Sequence, residues 1–431
     1  MISPLGALAL SFVLLAVLRV PIAYAMFGAS AVYLWMSGQD LGLIVDQTMN
    51  TLTSLYVLMA VPMFILAANV MNAATISDRL WAAAEALMGR FQGGLGHVTI
   101  LVSVVFSGIS GSAVSDAAGP GMLAIRMMRD VSRYPAGFSA ALVAASATIA
   151  PIIPPSIPMV LYALLSGASV GALFMGGIVP GLMMAGSLMA AVALVAERRG
   201  LPAGRVVPAR AVLAALCSAL LPLTVPVVLL GGLFSGVFTP TEAASVAALY
   251  AMLLGIGVYR SLGPATLFAV FLDSARQSAV VMILIASAFV VNYAIAAEHV
   301  ARDVAALVGG LQIGPVGLLL AINLLFLLLG CFLDASVLLL VFVPLLLPSV
   351  RAAGIDMVHF GVVVIVNLMI GLVTPPYGLL LFVLSALGGV RLAEIVREIW
   401  VFVIPLVVTL LLLSLFPSLV LGLPRLAGLV G

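Results

Sequence analysis

The chain has 431 residues, 65% of them hydrophobic and 7% charged, with a formal net charge of +2, and its mean hydropathy is +1.35. That balance excludes a soluble domain and leaves a polytopic, all-α membrane protein. The 17 basic residues are all arginine, the net charge of +2 says nothing about nucleic acid, none of which is expected as a partner, and the two cysteines, Cys217 and Cys331, lie in apolar stretches as small hydrophobes.

Apolar runs of about 20 residues, each long enough to cross a ~30 Å hydrocarbon core as a helix, recur along the chain. The N-terminus lacks the basic region and cleavage site of a signal peptide and is read as the first span. Spans are predicted at 4–18, 21–38 and 54–73, then an amphipathic segment at 75–91 whose Arg79, Glu85 and Arg90 suit a helix in the membrane interface. A polar face turned to solvent is the plainer reading of it. Residues 95–125 hold a polar cluster, Ser107, Ser110, Ser112, Ser115 and Asp116, among Gly108, Gly111, Gly119 and Gly121. A charge near the bilayer centre costs roughly 2.5 to 3.5 kcal/mol, so such residues face protein or water. The glycines argue for a re-entrant hairpin with an irregular tip, allowed at that depth only where it is packed or lines a cavity. The alternative is a helix-packing face of small residues.

A basic loop follows, with Arg126, Arg129 and Arg133, and then a span at 136–166 broken by PIIPPS at 151–156. Proline inside a helix removes a hydrogen bond and clashes with the preceding turn, so the Pro154-Pro155 pair dictates unwinding. A span at 172–196 leads to the Arg-rich linker 197–210.

The second half repeats this order. Spans at 211–233, 240–259 and 277–297 precede an amphipathic piece at 298–308, a hairpin at 314–350 with Asp334 at its tip, and a loop with Arg351. A helix at 358–388 broken at Thr374–Gly378, a second amphipathic piece at 391–400 and a last span to 421 complete the chain. A shift of 222 residues places Gly108 on Gly330, Arg129 on Arg351 and Phe138 on Phe360, and a shift of 221 places Pro154-Pro155 on Pro375-Pro376 and Gly167 on Gly388. The chain therefore divides into repeats at 1–196 and 211–431 around the linker. Five crossings in each make the repeats inverted. The positive-inside rule puts the linker and the Arg126–Arg133 loop in the cytoplasm and both termini outside. Inverted repeats with two matched helix breaks point to a secondary transporter whose site lies where the breaks converge.

Broken helices and hairpin tips offer unpaired carbonyls, which with Ser, Thr and Asp oxygens suit a hard cation, and free amide ends, which suit an anion. Two cation sites are expected: one between Ser110–Ala113 and Pro154–Ser156, the other between Asp334 and Thr374–Gly378. With no His/Cys cluster, sodium fits better than a transition metal. A proton carried by Asp116, Glu242 or Asp334 competes. Each residue also has a structural reading: Asp116 and Asp334 as helix caps, Thr374 bonded back to its own helix, and Asn292, Asn323 and Asn367 as interhelical glue. Thr239-Pro240-Thr241-Glu242 reads as a capped helix start, and His97, His299 and His359 fall near span ends, at the interface.

At these motifs the chain resembles the large membrane subunit of tripartite ATP-independent periplasmic (TRAP) transporters. Gly108-Ile109-Ser110-Gly111-Ser112, Ile153-Pro154-Pro155-Ser156, Gly176-Gly177-Ile178-Val179-Pro180-Gly181, Phe238 to Ala244, Gly354-Ile355-Asp356 with His359-Phe360-Gly361, and Gly371 to Gly378 follow the family's pattern in order. Ala113, Val114 and Tyr377 depart from it. The resemblance implies sodium-driven uptake of an organic acid across the bacterial inner membrane by an elevator-type motion, with no catalytic residues and Na+ as coupling ion. It implies a first sodium site at Ser110, Gly111, Ser112, Pro155 and Ser156, and a second at Asp334, Gly371, Thr374, Pro375 and Pro376. Substrate contacts are expected at Ser112, Ala113, Ser156, Ala335, Tyr377 and Gly378. A periplasmic binding protein and a small four-helix membrane subunit, expected as a separate chain, are the implied partners. Two other functions fit less of the chain: a standalone sodium- or proton-coupled dicarboxylate/citrate symporter, and, through the GxSG of Gly108–Gly111, an intramembrane serine protease, which would need a histidine beside its serine.

Overall fold

The computed structural model describes residues 3–54, 56–74, 76–131, 133–203, 208–310 and 313–430. Thr75 of the first amphipathic segment and residues 204–207 of the linker lie outside them. The described chain is helical throughout, with one isolated bridge, Gln92 to Ala203.

Helices α1 (Pro4–Val17) and α2 (Ile22–Met36) pack as a pair. Ser3 caps α1 by accepting from the Gly6 N–H at 3.1 Å, with Pro4 at the first helical position. Helix α3 (Leu43–Ser54) is an unpredicted element: its Asp46, Gln47 and Asn50 make it too polar to read as a span. A 3₁₀ turn at Tyr56–Met59 runs into α4 (Ala60–Ala73), so the predicted 54–73 span is present with a tightened start. In α5 (Ile76–Met88) Leu80, Trp81, Ala83 and Ala84 are buried against α6 (Gly94–Ser110) and α12 (Ala209–Phe234). The apolar face of this amphipathic segment is thus covered by protein.

The first hairpin descends along α6 and returns through α7 (Ala113–Ala118) and α8 (Pro120–Arg126), with a π turn at Met127–Val131. The first broken helix is α9 (Ala136–Ala147), an irregular 148–156 segment and α10 (Ile157–Ser166). Helix α11 (Val170–Arg199) closes the first half, and Gln92 Nε2, which donates to Ala196 O at 3.2 Å, brings the base of the hairpin beside the linker.

Beyond α12, the Thr239–Glu242 capping box starts α13 (Pro240–Leu253), as expected for that motif. Helix α14 (Pro264–Ala297) has 34 residues and begins 13 positions before the predicted 277–297 span, because Asp273, Ser274 and Arg276 interrupt the apolar run while remaining helical. Helix α15 (Val300–Gly310) precedes the second hairpin, α16 (Pro315–Gly330) with α17 (Ala335–Val337), a π turn at Leu338–Phe342 and α18 (Val343–Ala352). The second broken helix is α19 (Met357–Gly371), an irregular 372–378 segment and α20 (Leu379–Gly388). The separate amphipathic piece at 391–400 proves to be the opening turns of α21 (Leu392–Leu415), and α22 (Ser418–Leu426) follows a break at Phe416.

Among the described residues, seven helical runs are long and apolar enough to cross a membrane: 56–73, 170–199, 209–234, 240–258, 264–297, 335–352 and 392–415. The core centres on α9 and α19, nearly every residue of which is buried. Helix α9 packs on α21 so closely that a Cβ on Gly137 would lie 2.7 Å from the Glu394 carbonyl. Likewise α4 packs on α13 and α14, so elements from both halves interleave.

Candidate functional site

Four irregular segments carry the polar residues singled out above. At the first hairpin tip, α6 ends on Ser110 and Gly111 turns left-handed, φ 57°. A Cβ there would sit 2.5 Å from the Pro155 carbonyl oxygen, so only glycine allows tip and break to touch. Ser112 then caps α7, accepting from the Ser115 N–H at 3.4 Å. Across the contact, Ser156 caps α10, accepting from the Met159 N–H at 3.2 Å while its hydroxyl donates to Pro151 O at 2.5 Å. The Pro154–Pro155 peptide is cis. Among the side chains here, Ser110, Asp116 and Ser156 are buried. Asp116 Oδ2 accepts from Ser103 at 2.8 Å, yet Asp116 Oδ1 and Ser110 Oγ have no hydrogen-bond partner among the described residues. Buried polar atoms left unpaired cost free energy unless something satisfies them, and hydroxyl, carboxylate and carbonyl oxygens are the ligand type a hard cation uses.

The second tip and break are built alike but lie more open. Asp334 caps α17, its Oδ1 accepting from the Ser336 N–H at 2.8 Å. Gly330 lets the hairpin meet the end of α19: a Cβ on it would be 3.2 Å from the Gly371 Cα. The Tyr377 N–H donates to Cys331 O at 3.1 Å, fastening the break to the tip. Thr374 donates to Ile370 O at 2.7 Å, the back-bond expected of a threonine at a helix end. The Pro375–Pro376 peptide is cis, Gly378 is left-handed at φ 46°, and Pro376 and Tyr377 are exposed.

Two cavities bring these parts together. The smaller, about 190 Å³, is lined from one tip by Gly111, Ser112 and Ala113 and from the other by Asp334, Ala335 and Ser336. The two hairpins, 222 positions apart at Ser112 and Asp334 (334 − 112), thus share one space. The larger, about 1070 Å³, is a cleft between the first hairpin and the α4–α14 wall, lined by Ser110, Ser112 and Ser115 on one side and by Asn69, Asn72, Arg276 and Gln277 on the other. Of the predicted substrate residues, Ser112, Ala113 and Ala335 line the smaller cavity, whereas Ser156, Tyr377 and Gly378 line neither. The cleft wall escaped the sequence reading. Its signal is the pair Asn69 and Asn72, three residues apart on one helix face inside an apolar span.

The remaining candidates have structural partners. Glu242 accepts from the Thr239 N–H at 2.8 Å in the α13 cap. Asn367 Nδ2 donates to Asn323 O and Oδ1 at 2.9 and 3.0 Å, Asn323 Nδ2 to Ser414 Oγ at 2.8 Å, and Asn292 Nδ2 to Leu340 O at 3.0 Å. His359, near the start of α19, is buried in protein, with Nε2 2.8 Å from Leu413 O. No group of three or more His, Cys, Asp or Glu suited to a metal ion occurs among the described residues.

Two proline-broken helices set against two hairpin tips, within a bundle of membrane-length helices, fit a polytopic membrane protein. Residues 9–419 match the family described as "Tripartite ATP-independent periplasmic transporter, DctM component", and the chain belongs to it: it is a TRAP large permease subunit, a multi-pass inner-membrane transport protein and not an enzyme. It is 41% identical over 371 residues to the sialic acid TRAP transporter large permease protein SiaM of Vibrio cholerae, covering 86% of this chain and 87% of that one. It is 37% identical over 402 residues to the 2,3-diketo-L-gulonate TRAP transporter large permease protein YiaN of Escherichia coli, covering 93% and 94%. The sialic acid TRAP transporter permease protein SiaT of Haemophilus influenzae is 35% identical over 407 residues, which are 94% of this chain and 66% of that longer one. Among solved structures, the Alcanivorax borkumensis YdaH transporter superposes with a TM-score of 0.63 over 87% of each chain at 16% identity, a likeness of fold alone.

Proposed function

We propose that this chain is the ion-coupled permease of a sodium-driven transporter that takes up an organic acid bearing a carboxylate. The observation that carries this reading is the cavity where Ser112–Ala113 of one hairpin and Asp334–Ala335–Ser336 of the other meet, with Pro151 of the first break and Leu372 of the second in its lining. Sodium occupies two places: one among Ser110, Gly111, Ser112, Pro155 and Ser156, where the unpaired Ser110 hydroxyl gains a ligand, and one among Asp334, Gly371, Thr374, Pro375 and Pro376. The substrate anion lies at the hairpin tips, with bound cations compensating its charge. The matched order of hairpin and broken helix in the two halves supports an inverted repeat about the 197–210 linker, with the linker cytoplasmic and both termini periplasmic. In that orientation the large cleft opens to the cytoplasm, and the hairpins and broken helices move against the α4–α14 wall as an elevator.

The relatives named for sialic acid, diketogulonate and, in Pseudomonas aeruginosa, C4-dicarboxylate support an acid substrate. A periplasmic binding protein delivers it, and a small membrane subunit, for which the additional length of SiaT leaves room, completes the complex. A proton-coupled version rests on one observation, the buried Asp116 with its unpaired Oδ1. Uptake into proteoliposomes under a sodium gradient at equal pH, and under a pH gradient without sodium, decides between them: the sodium reading requires uptake in the first and none in the second.

A further inference from the structure

The cleft of about 1070 Å³ has a single ionised side chain among its described lining residues, Arg276. The rest of the wall around it is apolar or amide-bearing: Val280 and Val281 one to two turns further along α14, Gln277 beside it, and Asn69 and Asn72 on α4. Asn69 Nδ2 donates to Ser274 Oγ at 3.0 Å and lies 3.4 Å from Gln277 Oε1, which locks the two helices together beside the arginine. Arg276 itself is held loosely. Its ion pair is with Asp273, one turn back, at 3.7 Å, with the two side chains 69% and 62% exposed. A pair that open contributes little, and a guanidinium carries five N–H donors in a planar fork, so most of its donors remain for a ligand. Asp273 is not among the residues that line the cleft.

A space whose one formal charge is positive repels free cations and favours an anion. Among anions, the planar two-oxygen geometry of a carboxylate matches the guanidinium fork, while Asn72 and Gln277 offer amide groups to the hydroxyl or keto oxygens of a small acid. We propose that Arg276, supported by Asn72 and Gln277, is a carboxylate-binding residue for the transported anion, on the α4–α14 wall of the cleft and separate from the sodium-binding hairpin tips. This rests on the reading of the chain as an organic-acid permease. It separates the two ligands: hairpin oxygens hold the coupling ion, and the arginine receives the anion in the cleft.

The test uses the permease with its small subunit in lipid nanodiscs, without the binding protein, titrated calorimetrically in sodium buffer with sialic acid, 2,3-diketogulonate and succinate. For an acid that the wild type binds, Arg276→Gln is expected to weaken binding tenfold or more and Arg276→Lys to weaken it only a few-fold, since lysine keeps the charge and loses the fork. The sodium concentration that half-saturates binding stays at the wild-type value in both. Unchanged acid affinity in Arg276→Gln overturns the assignment, and so does an Arg276→Lys variant as weak as Arg276→Gln with a shifted sodium requirement, which would mark a purely structural role. A wild-type permease that binds none of the three acids overturns the acid-transport reading and this assignment with it.

Discussion

The guanidinium of Arg129 donates to the carbonyl of Gly388 at 2.9 Å, across 259 positions of chain. Arg129 lies in the π turn that ends the first hairpin, and Gly388 is the last residue of α20, in the other half. The relationship is reciprocated, since Arg351, in the last turn of α18, donates to Ser166 O at 2.6 Å, and Ser166 is the last residue of α10. Each hairpin is therefore tied to the broken helix of the opposite half through a cation on a helix C-terminus, where unpaired carbonyls and the helix dipole both favour positive charge.

Replacing either arginine by alanine should destabilise the protein by about 1.5 to 3 kcal/mol, the range for a hydrogen bond to a charged group. Thermal unfolding of the purified permease should register this in Arg129→Ala and Arg351→Ala alike, with lysine at either position keeping part of the stability. Wild-type melting in both alanine variants would show the clasps to be incidental.

Gly111 is the point where hairpin and break touch. An alanine there must hold φ near +57°, at about 1 to 2 kcal/mol, and must push Pro155 away. Gly111→Ala should reach the membrane but lose most sodium-dependent uptake. Gly167→Ala, also left-handed at φ 74° yet with open space around it, should pay only the backbone cost and keep transport. Equal transport by the two variants would count against a packed contact at the first site.

Ser156 and Ser112 both cap helices but differ in burial. Ser156 is fully buried and makes two hydrogen bonds, one accepted and one donated, whereas the Ser112 cap is a 3.4 Å contact on a partly exposed side chain. Loss of a capping hydroxyl costs about 0.5 to 2 kcal/mol. Ser156→Ala should fall at the upper end and Ser112→Ala at the lower, while both weaken sodium activation of uptake. A more stable Ser156→Ala, or sodium activation unaltered in both, would contradict the role given to the first site.

The buried chain Asn367–Asn323–Ser414 links α19, α16 and α21. Interhelical hydrogen bonds in membranes contribute on average about 0.6 kcal/mol and at most about 1.7, so Asn323→Ala, which removes a partner of both neighbours, should lower the melting temperature more than Ser414→Ala does. The opposite order in thermal unfolding would place the weight on the serine.

The broken helices and hairpin tips are readable from sequence because proline pairs and polar clusters stand out in an apolar chain: Pro154-Pro155 and Ser110–Ser112 announce themselves without any packing information. The cleft wall does not. Asn69, Arg276 and Gln277 lie on two helices about 200 positions apart, and only the packing of α4 on α14 brings them to one surface. Arg129 and Arg351 are visible as loop charges, yet their partners are backbone carbonyls, which carry no residue-type signal. Helix α3 and the start of α14 are missed for one reason: hydropathy finds unbroken apolar runs, and Asp46, Gln47 and Asn50 in the one, Asp273 and Arg276 in the other, interrupt them.

The most direct test of the central claim is uptake of radiolabelled sialic acid, 2,3-diketogulonate and succinate into proteoliposomes containing this chain, its small subunit and the cognate binding protein, under an inward sodium gradient. Accumulation of one of these acids is expected, needing both sodium and the binding protein and falling in Ser112→Ala and Thr374→Ala. Accumulation driven by a pH gradient with no sodium, or undiminished without the binding protein, would contradict it.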